Sequence, residues 1–320
     1  MNEIVTVEQN TPGVFVETEL NRPNPKRRKG KKGDLLSALL FLSPTLVVFG
    51  AFILFPVIFS FYLSFLKWNM FGGSSTFVGL DNYISLFKNP DFWLVLKNTL
   101  IYTFATVPLN MIFSLLIAYA LNKKIIGKKF LRTALFAPVV ISPVAAAVIW
   151  RWLYDPNFGL INYFLSFFGI GSINWLNDPA AAMFALIIMG VWKTFGINMI
   201  LFSAGLQAIP ENYYEAALID GAGPWARFWN VTIPMLAPTL FFIMVMSMIG
   251  SFQVFDLVYV LTSGGPLGAT KVLVFYIYEY AFKYFQMGYA SAASYVLFGI
   301  LFLFTMLQIK FLKDKVYGAV

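Results

Sequence analysis

The chain alternates between long apolar runs and shorter polar segments, and this pattern predicts membrane-spanning helices. Five runs carry no charge, and a sixth is interrupted only by Lys193. In chain order, the six runs occupy residues 35–66, 98–122, 133–150, 179–210, 228–255 and 284–309. Because a helix crosses the hydrocarbon core with about 20 mostly apolar residues, we predict an all-α polytopic membrane protein with six transmembrane helices. The first run is long enough to include a re-entrant or tilted portion near Pro44 and Pro56.

Two further apolar stretches could be miscounted as spans. Residues 157–177 are uncharged but interrupted by Gly and Asn, and residues 271–285 are rich in aromatic side chains and carry Glu279 and Lys283. Counting just one of them as a span would reverse the orientation of every later segment. We predict that both form interfacial or external helices, where Tyr, Trp and Phe are favoured.

The distribution of Lys and Arg predicts that both chain termini are cytoplasmic, because basic residues concentrate in short cytoplasmic loops. Basic clusters precede the first run, separate the second run from the third, and follow the sixth. They comprise residues 26–32 (KRRKGKK), Lys123, Lys124, Lys128, Lys129, Arg132, Lys310, Lys313 and Lys315. The alternate loops carry fewer basic residues. This orientation also places the connection between the fourth and fifth runs in the cytoplasm.

The first 33 residues differ from the rest of the chain. They are polar and contain several Pro and Gly residues, a composition that cannot bury enough surface to fold alone. We therefore predict a disordered basic cytoplasmic tail, residues 1–33, followed by a six-span transmembrane domain, residues 34–320. The tail is not a cleavable signal, because its apolar run starts late and is too long. The KRRKGKK cluster is interpreted as a topology anchor facing anionic lipids, with a regulatory docking site as the alternative.

Composition excludes most catalytic chemistry. The 320 residues are 59% hydrophobic and 12% charged, with a mean hydropathy of +0.73, as expected of an integral membrane protein. With neither Cys nor His, zinc sites of those residues, disulfides and Ser–His or Cys–His nucleophile pairs are excluded. The basic residues lie beside the apolar runs, which favours membrane orientation over nucleic-acid binding. Neither Gly-Lys pair has the context of a phosphate-binding loop, so ATP-driven work would require an ATPase on another chain.

The connection at residues 210–234 lacks the basic character expected of a cytoplasmic loop. It holds three acids, Glu211, Glu215 and Asp220, against one base, Arg227. A helix is predicted over residues 212–220, with an acid near its positive end.

Glycine and proline predict how this connection turns. Gly221 can adopt the left-handed conformation that ends the first helix, and Pro224 suits the first position of a second short segment, residues 225–231. The result would be two short helices joined at an angle by small residues. Another surface could then approach the backbone closely, with Glu215 and Asp220 as anionic anchors. The alternative is a plain surface connector with a glycine turn.

Several motifs then resemble one family. Glu215-Ala216-Ala217, Asp220-Gly221-Ala222 and Ile233-Pro234 resemble the EAA loop of ABC importer permeases. Further similar segments are FVGLDNY at 77–83, FGLIN at 158–162, AGLQAIP at 204–210 and FDLVYVLTSGGP at 255–266. Beyond the tail, nearly the whole chain is similar to the carbohydrate permeases of the MalF/UgpA type. It lacks the extra N-terminal spans and the large external domain of the maltose permease.

The resemblance implies a type I ABC importer permease core (MetI-like) in the bacterial cytoplasmic membrane. It implies a non-catalytic transport subunit without a cofactor of its own, since ATP and Mg²⁺ would be bound by a partner ATPase. The implied partners are a second, MalG-type permease in a heterodimer, two ABC ATPase subunits, an extracytoplasmic sugar-binding protein and membrane lipid, without nucleic acid. The residues implied to dock on the ATPase are Glu215, Ala216, Ala217, Asp220, Gly221, Ala222 and Gly223.

Polar residues within the runs predict a solute path. A charge inside a span costs about 2.5–3.5 kcal/mol on insertion scales, so Lys193 and Asp256 are expected to face the bundle interior. They could pair with each other, line a cavity for sugar hydroxyls, or reach toward the interface. Helical spacing adds further candidates on the fourth and fifth runs, which are equally compatible with helix packing. The full set of candidates is Gly190, Lys193, Thr194, Asn198, Ser247, Ser251, Gln253 and Asp256.

The family resemblance strengthens part of this set. Gly190, Lys193, Thr194, Ser247 and Ser251 match positions that line the sugar site in maltose-type relatives, although several side chains differ. A secondary transporter driven by an ion gradient is the alternative from another class. It would be expected to show an internal repeat, discontinuous helices and intramembrane carboxylates, and Asp256 is the single candidate carboxylate. The sequence does not identify the solute among monosaccharides, oligosaccharides, polyols and glycerophosphodiesters.

Overall fold

The computed structural model describes residues 32–68, 75–122 and 125–317. Most of the predicted tail lies outside the described residues, as do Lys123 and Lys124 of the basic loop. Between Val57 and Ile58 the chain divides into two compact units, which are described separately. The division into a tail and a domain that begins at residue 34 stays a prediction.

The first unit is helical throughout its described part. Helix α1 (Lys32–Phe49) continues through a π-helical turn (Gly50–Leu54) into α2 (Phe55–Leu63), which extends beyond the unit boundary. The Phe55 N–H donates to the Gly50 carbonyl, five residues earlier. Pro56 has no N–H and would crowd the carbonyl four residues before it, and the wider turn accommodates it. The run at Ala38–Leu63 has the length and hydropathy of a membrane span.

The second unit contains the other long apolar helices. Among the described residues, five helical runs are long and apolar enough to cross a membrane, including the run of the first unit. The long helices of the second unit are α4 (Pro90–Asn122), α8 (Pro179–Gln207), α12 (Ala237–Phe252) and α15 (Met287–Tyr317). The apolar segment of α12 extends into the short α13 (Asp256–Leu261). The predicted all-α polytopic class is confirmed.

The third predicted span is not one continuous helix. Helix α5 (Lys128–Val140) ends within the apolar run, and α6 (Pro143–Leu153) begins after two intervening residues with its axis turned by 100°. Pro143 explains the break, because a residue that precedes proline avoids the helical region. Ser142 is indeed extended, with φ −51° and ψ 135°. Counted as one bent span, this pair brings the total to six.

Short elements connect the long helices. Strands β1 (Leu66–Lys67) and β2 (Thr76–Phe77) pair antiparallel, with Leu66 opposite Phe77. Three short helices lie in other connections: α3 (Asp81–Lys88), α7 (Leu160–Ser166) and α14 (Leu273–Tyr278). Helix α14 is followed by a π-helical turn (Glu279–Lys283). The helices within the two ambiguous apolar stretches are therefore too short to span a membrane, while their predicted interfacial or external location stays a prediction.

The core of the second unit is built around α4 and α8. Apolar side chains such as Met189, Met199 and Phe202 of α8 are fully buried. Gly196 allows close approach of α5, since a Cβ there would lie 2.8 Å from the Leu135 carbonyl oxygen. The buried face of α4 is largely polar, and its buried polar residues are Asn98, Thr99, Thr103, Thr106, Asn110 and Ser114. Helix α4 therefore carries a polar stripe into the centre of the unit.

Candidate functional site

A cavity of about 580 Å³ lies within the second unit. Its walls come from α4, α8, α12, the start of α6, and the segment that leads into α13. All eight residues predicted for the solute path line this cavity: Gly190, Lys193, Thr194, Asn198, Ser247, Ser251, Gln253 and Asp256. The structure therefore brings together candidates from two distant parts of the sequence, while their contact with a solute stays a prediction.

Gly190 is required by a close helix contact at the cavity wall. A Cβ at this position would lie 2.3 Å from the Tyr102 hydroxyl oxygen and 3.2 Å from the ring carbon that carries it. Such separations are shorter than van der Waals contact, so any side chain would displace Tyr102. Tyr102 is itself buried and lines the cavity. The glycine thus lets a tyrosine of α4 lie against α8.

A hydrogen-bond network joins three helices along the cavity. The Asn110 side-chain amide donates to the Thr194 hydroxyl at 2.7 Å, and its oxygen accepts from the Asn198 amide at 2.7 Å. Asn198 also donates to the Ser247 hydroxyl at 3.0 Å, which links α8 to α12. Ser114 donates to the Asn110 oxygen at 3.1 Å. Because buried polar groups inside a membrane require partners, this network fixes how the three helices pack.

The end of the cavity next to α13 is polar as well. The Ser251 hydroxyl donates to the Thr103 hydroxyl at 3.1 Å, which connects α12 to α4. Gln253 and Asp256 are exposed, and Asp256 occupies the first turn of α13. Both side chains line the cavity.

Sequence reasoning missed the contribution of α4 to this site. Tyr102, Thr106 and Asn110 line the cavity, yet none was predicted. A signal was present, because Asn98, Tyr102, Thr106, Asn110 and Ser114 recur every four residues within one apolar run. Such spacing places polar side chains on one helical face. Treating the second run as uniformly apolar concealed this stripe.

Lys193 does not pair with Asp256 in the described structure. Its ammonium group donates to the carbonyl oxygens of Pro138 at 2.7 Å, Val139 at 3.2 Å and Ile141 at 2.7 Å. These carbonyls belong to the end of α5 and the break that follows it. The predicted alternative of a Lys193–Asp256 ion pair is therefore wrong. The partners of Lys193 are instead backbone carbonyls at the break in the third span, which the pattern of apolar residues did not predict.

The acidic connection contains the helix ending that its sequence predicts. Helix α9 (Glu211–Ile219) is followed by Gly221 with φ +76°, in the left-handed region. The Gly221 N–H donates to the Leu218 carbonyl at 3.0 Å, and the Ala222 N–H donates to the Ala217 carbonyl at 2.8 Å. This pair of bonds is the Schellman arrangement, which satisfies carbonyls at a helix end. The prediction of a glycine-terminated helix is confirmed.

The second half of the connection runs into the fifth span. Helix α10 (Pro224–Arg227) begins at Pro224 and continues through a π-helical turn (Phe228–Thr232) and α11 (Ile233–Met235) to α12. The segment predicted over residues 225–231 is therefore the beginning of a longer helical path. The ring of Phe228 contacts that of Tyr119 of α4, with centroids 5.1 Å apart, which holds the connection to the bundle. A hydrogen bond between the Tyr214 and Thr232 hydroxyls joins the two halves of the connection.

The surface of the connection is acidic and apolar. No residue of α9 is buried, and Glu211, Glu215 and Asp220 are all exposed. Beside them, Ile219 is 87% exposed and Trp225 is 74% exposed. Large apolar side chains at such exposure beside acids are typical of a surface that a partner covers.

Sequence comparison places the chain among transport proteins. Residues 95–314 match the family described as "Binding-protein-dependent transport system inner membrane component". The "Probable ABC transporter permease protein YesP" of Bacillus subtilis (strain 168) is 39% identical over 290 residues, 89% of this chain and 93% of the relative. The "Trehalose/maltose transport system permease protein MalF" of Thermococcus litoralis is 36% identical over 285 residues, 89% and 95% of the two chains. The "sn-glycerol-3-phosphate transport system permease protein UgpA" of Escherichia coli O157:H7 is 34% identical, over 87% and 94%.

Comparison with solved structures supports the fold. A chain from a bacterial ABC transporter involved in the import of the acidic polysaccharide alginate superimposes with a TM-score of 0.77. The match covers 88% of this chain and 96% of that chain at 24% sequence identity. The same kind of transporter, in complex with an alginate pentasaccharide-bound periplasmic protein, gives a TM-score of 0.76. At this identity, the likeness shows the fold alone.

Proposed function

This chain belongs to the family of binding-protein-dependent transport system inner membrane components, and from that premise we propose that it forms half of the path of an ATP-driven sugar importer. It is a multi-pass membrane protein, and its homologues are ABC permeases for sugars and related solutes. Its specific role is to carry a solute across the cytoplasmic membrane of a bacterium while separate subunits hydrolyse ATP.

The observation that carries the proposal is the direct connection between the acidic surface and the cavity. The connection at residues 210–234 leaves the end of α8 and leads without a long loop into α12. Both helices form walls of the cavity, and Asn198 of α8 is hydrogen-bonded to Ser247 of α12. A force applied at Glu215 or Ile219 would therefore act on two cavity walls at once.

The exposed face of the connection supports docking on an ATPase subunit. Glu215 and Asp220 offer anionic anchors, and Ala216, Ala217 and the glycine turn leave the backbone open to close approach. The exposed Ile219 supplies apolar surface that docking would remove from water, at about 25 cal/mol per Å². We infer that the full docking set comprises Glu215, Ala216, Ala217, Asp220, Gly221, Ala222 and Gly223.

The cavity supports an uncharged or weakly charged polyhydroxylated solute. Its polar lining consists mostly of hydroxyl and amide groups, which suit sugar hydroxyls as both donors and acceptors. Tyr102 adds an aromatic ring next to Gly190. Relatives named for trehalose/maltose and for sn-glycerol-3-phosphate make a mono- or oligosaccharide or a related polyol the expected class.

The remaining subunits would supply what this chain lacks. A second, MalG-type permease would complete the path, two ABC ATPase subunits would bind ATP and Mg²⁺, and an extracytoplasmic binding protein would deliver the sugar. This chain would carry out no chemistry itself. ATP binding would close the ATPase dimer and draw the coupling connections together, so that α8 and α12 turn the cavity outward. Hydrolysis would then return it to the inward-facing arrangement.

An ion-gradient transporter is not favoured. That class is driven by ions bound at intramembrane carboxylates, and Asp256 is the single acid that lines the cavity. The family and its named relatives are instead components of binding-protein-dependent and ABC systems. A broken span is also a feature of secondary transporters. Here the broken third span occurs within a fold that matches an ABC permease.

Co-purification tests the proposal directly. The chain is expressed with its neighbouring genes, and an ATPase is expected to co-purify with it. Glu215→Lys should weaken this association and lower uptake while membrane insertion is retained. Asp91→Lys is the matched control, because it reverses an exposed charge in the first turn of α4, away from the connection. Equal retention of the ATPase by wild type and Glu215→Lys, with normal uptake, would contradict the docking role.

A further inference from the structure

Lys193 uses all of its hydrogen-bonding capacity on one partner segment. An ammonium group has three N–H donors. The structure places three carbonyl oxygens within hydrogen-bond distance, those of Pro138, Val139 and Ile141, at 2.7, 3.2 and 2.7 Å. No donor then remains for a sugar hydroxyl, although Lys193 lines the cavity.

The segment that Lys193 contacts has an unusual need for such a donor. The last carbonyls of a helix have no partner within it, and they carry the partial negative charge of the helix dipole. Here Pro143 prevents the helix from continuing, so the free carbonyls at the end of α5 lie within the bent third span. Inside a membrane, an unpaired carbonyl is far more costly than at a wet surface. A cation is the partner that such a helix end favours most.

The two halves of the bent span pack in different surroundings. Trp150 of α6 belongs to an apolar cluster with Leu257 and Leu261 of α13 and with Met189 of α8. Helix α5 instead packs on the other half of α8, through Gly196 and Leu135. Lys193 lies between these two contacts along α8, opposite the break. It is thus the side chain of α8 that is bonded to the point where the two halves meet.

We propose that Lys193 is a positioning residue, which holds the break between α5 and α6 as the joint of the third span, and that it is not a sugar ligand. The inference deepens the proposed function, since it assumes that the cavity is the solute path. By holding the Ile141 carbonyl, two residues before Pro143 at the cavity wall, Lys193 sets how α6 follows α8 when the cavity changes shape.

The kinetic consequence separates this role from sugar binding. If the hydrogen bonds from Lys193 to the break are lost, the cavity reorients more slowly, and the maximal uptake rate falls. A lost sugar ligand raises KM instead. We expect Lys193→Met to lower the maximal rate about tenfold or more, because a single charge-assisted hydrogen bond is worth that factor. The KM for sugar should change by less than about twofold, because the substitution leaves ground-state binding of the sugar unaffected.

Lys193→Arg and Lys193→Gln complete the series. Arg retains the charge and several donors, so it should recover most of the uptake rate, whereas Gln offers a neutral amide on a shorter side chain and should recover less. If Lys193→Met is not recovered from the membrane, the comparison of Arg with Gln still tests the proposal. A raised KM with an unchanged maximal rate in either variant would overturn it.

A distance measurement tests the joint without requiring transport. The chain contains no cysteine, so two introduced cysteines are the sole labelling sites. Thr133→Cys on α5 and Val148→Cys on α6 place spin labels at exposed positions on either side of the break. The distance between the two spin labels is then measured by pulsed electron–electron double resonance on the full chain in lipid nanodiscs.

The expected result is a distance distribution that is clearly broader in Lys193→Met than in wild type and narrow again in Lys193→Arg. An unchanged distribution in Lys193→Met would overturn the positioning role. Because this measurement needs neither ATP nor sugar, its failure is distinct from a failure of the proposed function. That function would instead fail in the uptake and co-purification experiments.

Discussion

The turn at Gly221 is the most specific point at which to perturb the connection. Gly221 has φ +76°, a conformation that L-residues with a side chain rarely adopt, and its N–H is bonded to the Leu218 carbonyl. A Cβ added there would meet nothing within 4 Å. Substitution therefore acts through backbone conformation alone, without a steric clash.

The expected magnitudes follow from that geometry. Placing alanine in the left-handed region costs about 1–2 kcal/mol of conformational free energy, which reduces the population of the native turn about 5–30-fold. The cost is smaller for asparagine, because its side chain tolerates this region. Proline cannot adopt the φ value and also removes the N–H that bonds to Leu218, so it should abolish the turn, at about 3 kcal/mol or more.

The assay is ATP-dependent sugar uptake, with the amount of ATPase that co-purifies as the second readout. We expect the order wild type, Asn, Ala, Pro from highest to lowest, with membrane insertion equal throughout. Gly171→Ala is the matched control, because Gly171 lies outside the connection, does not have a left-handed φ and has open space around it. If Gly221→Pro supports normal uptake, or if Gly171→Ala is as damaging as Gly221→Ala, the role of the turn is refuted.

Three further predictions concern the cavity. Gly190→Ala should abolish uptake without loss of membrane insertion, since its Cβ would lie 2.3 Å from the Tyr102 hydroxyl. Tyr102→Phe in the same chain should partly restore uptake. Gly299→Ala in α15, with open space around it and away from the cavity, should be harmless. Asn110→Ala should lower stability by about 1–3 kcal/mol in a thermal unfolding assay, because it removes the hydrogen bonds with Thr194, Asn198 and Ser114; an unchanged midpoint would contradict the network. Asp256→Asn should leave stability within about 0.5 kcal/mol, as exposed substitutions do, and should raise the KM for sugar; an unchanged KM would exclude Asp256 from the path.

Much of this architecture follows from the pattern of apolar runs. The helix-forming runs, the two stretches too short to span, and the glycine-terminated helix before Asp220 were all predictable, because length, capping and glycine chemistry are local properties. The eight cavity residues were predictable as well, since helical spacing and the family resemblance identified positions on two runs. These residues line one cavity because the helical spacing places most of them on single faces of two helices that pack against each other.

What the sequence did not predict depends on contacts between distant elements. The partner of Lys193 is a set of backbone carbonyls, which carry no residue signature, so side-chain reasoning turned to Asp256. The break at Ser142 was visible as a residue before proline, but the apolar composition of the run outweighed it. The polar stripe of α4 that contains Asn110 was concealed by the hydropathy of the residues around it.

Reconstitution provides the most direct measurement of the central claim, that this chain forms half of the membrane path of an ATP-driven sugar importer. The chain is incorporated in proteoliposomes together with the proposed second permease, ATPase and binding protein, and uptake of labelled sugar is followed. Uptake should require ATP inside the vesicles, persist when ion gradients are collapsed, and fall with Glu215→Lys. Uptake that continues without ATP and stops when the proton gradient is removed would contradict the account.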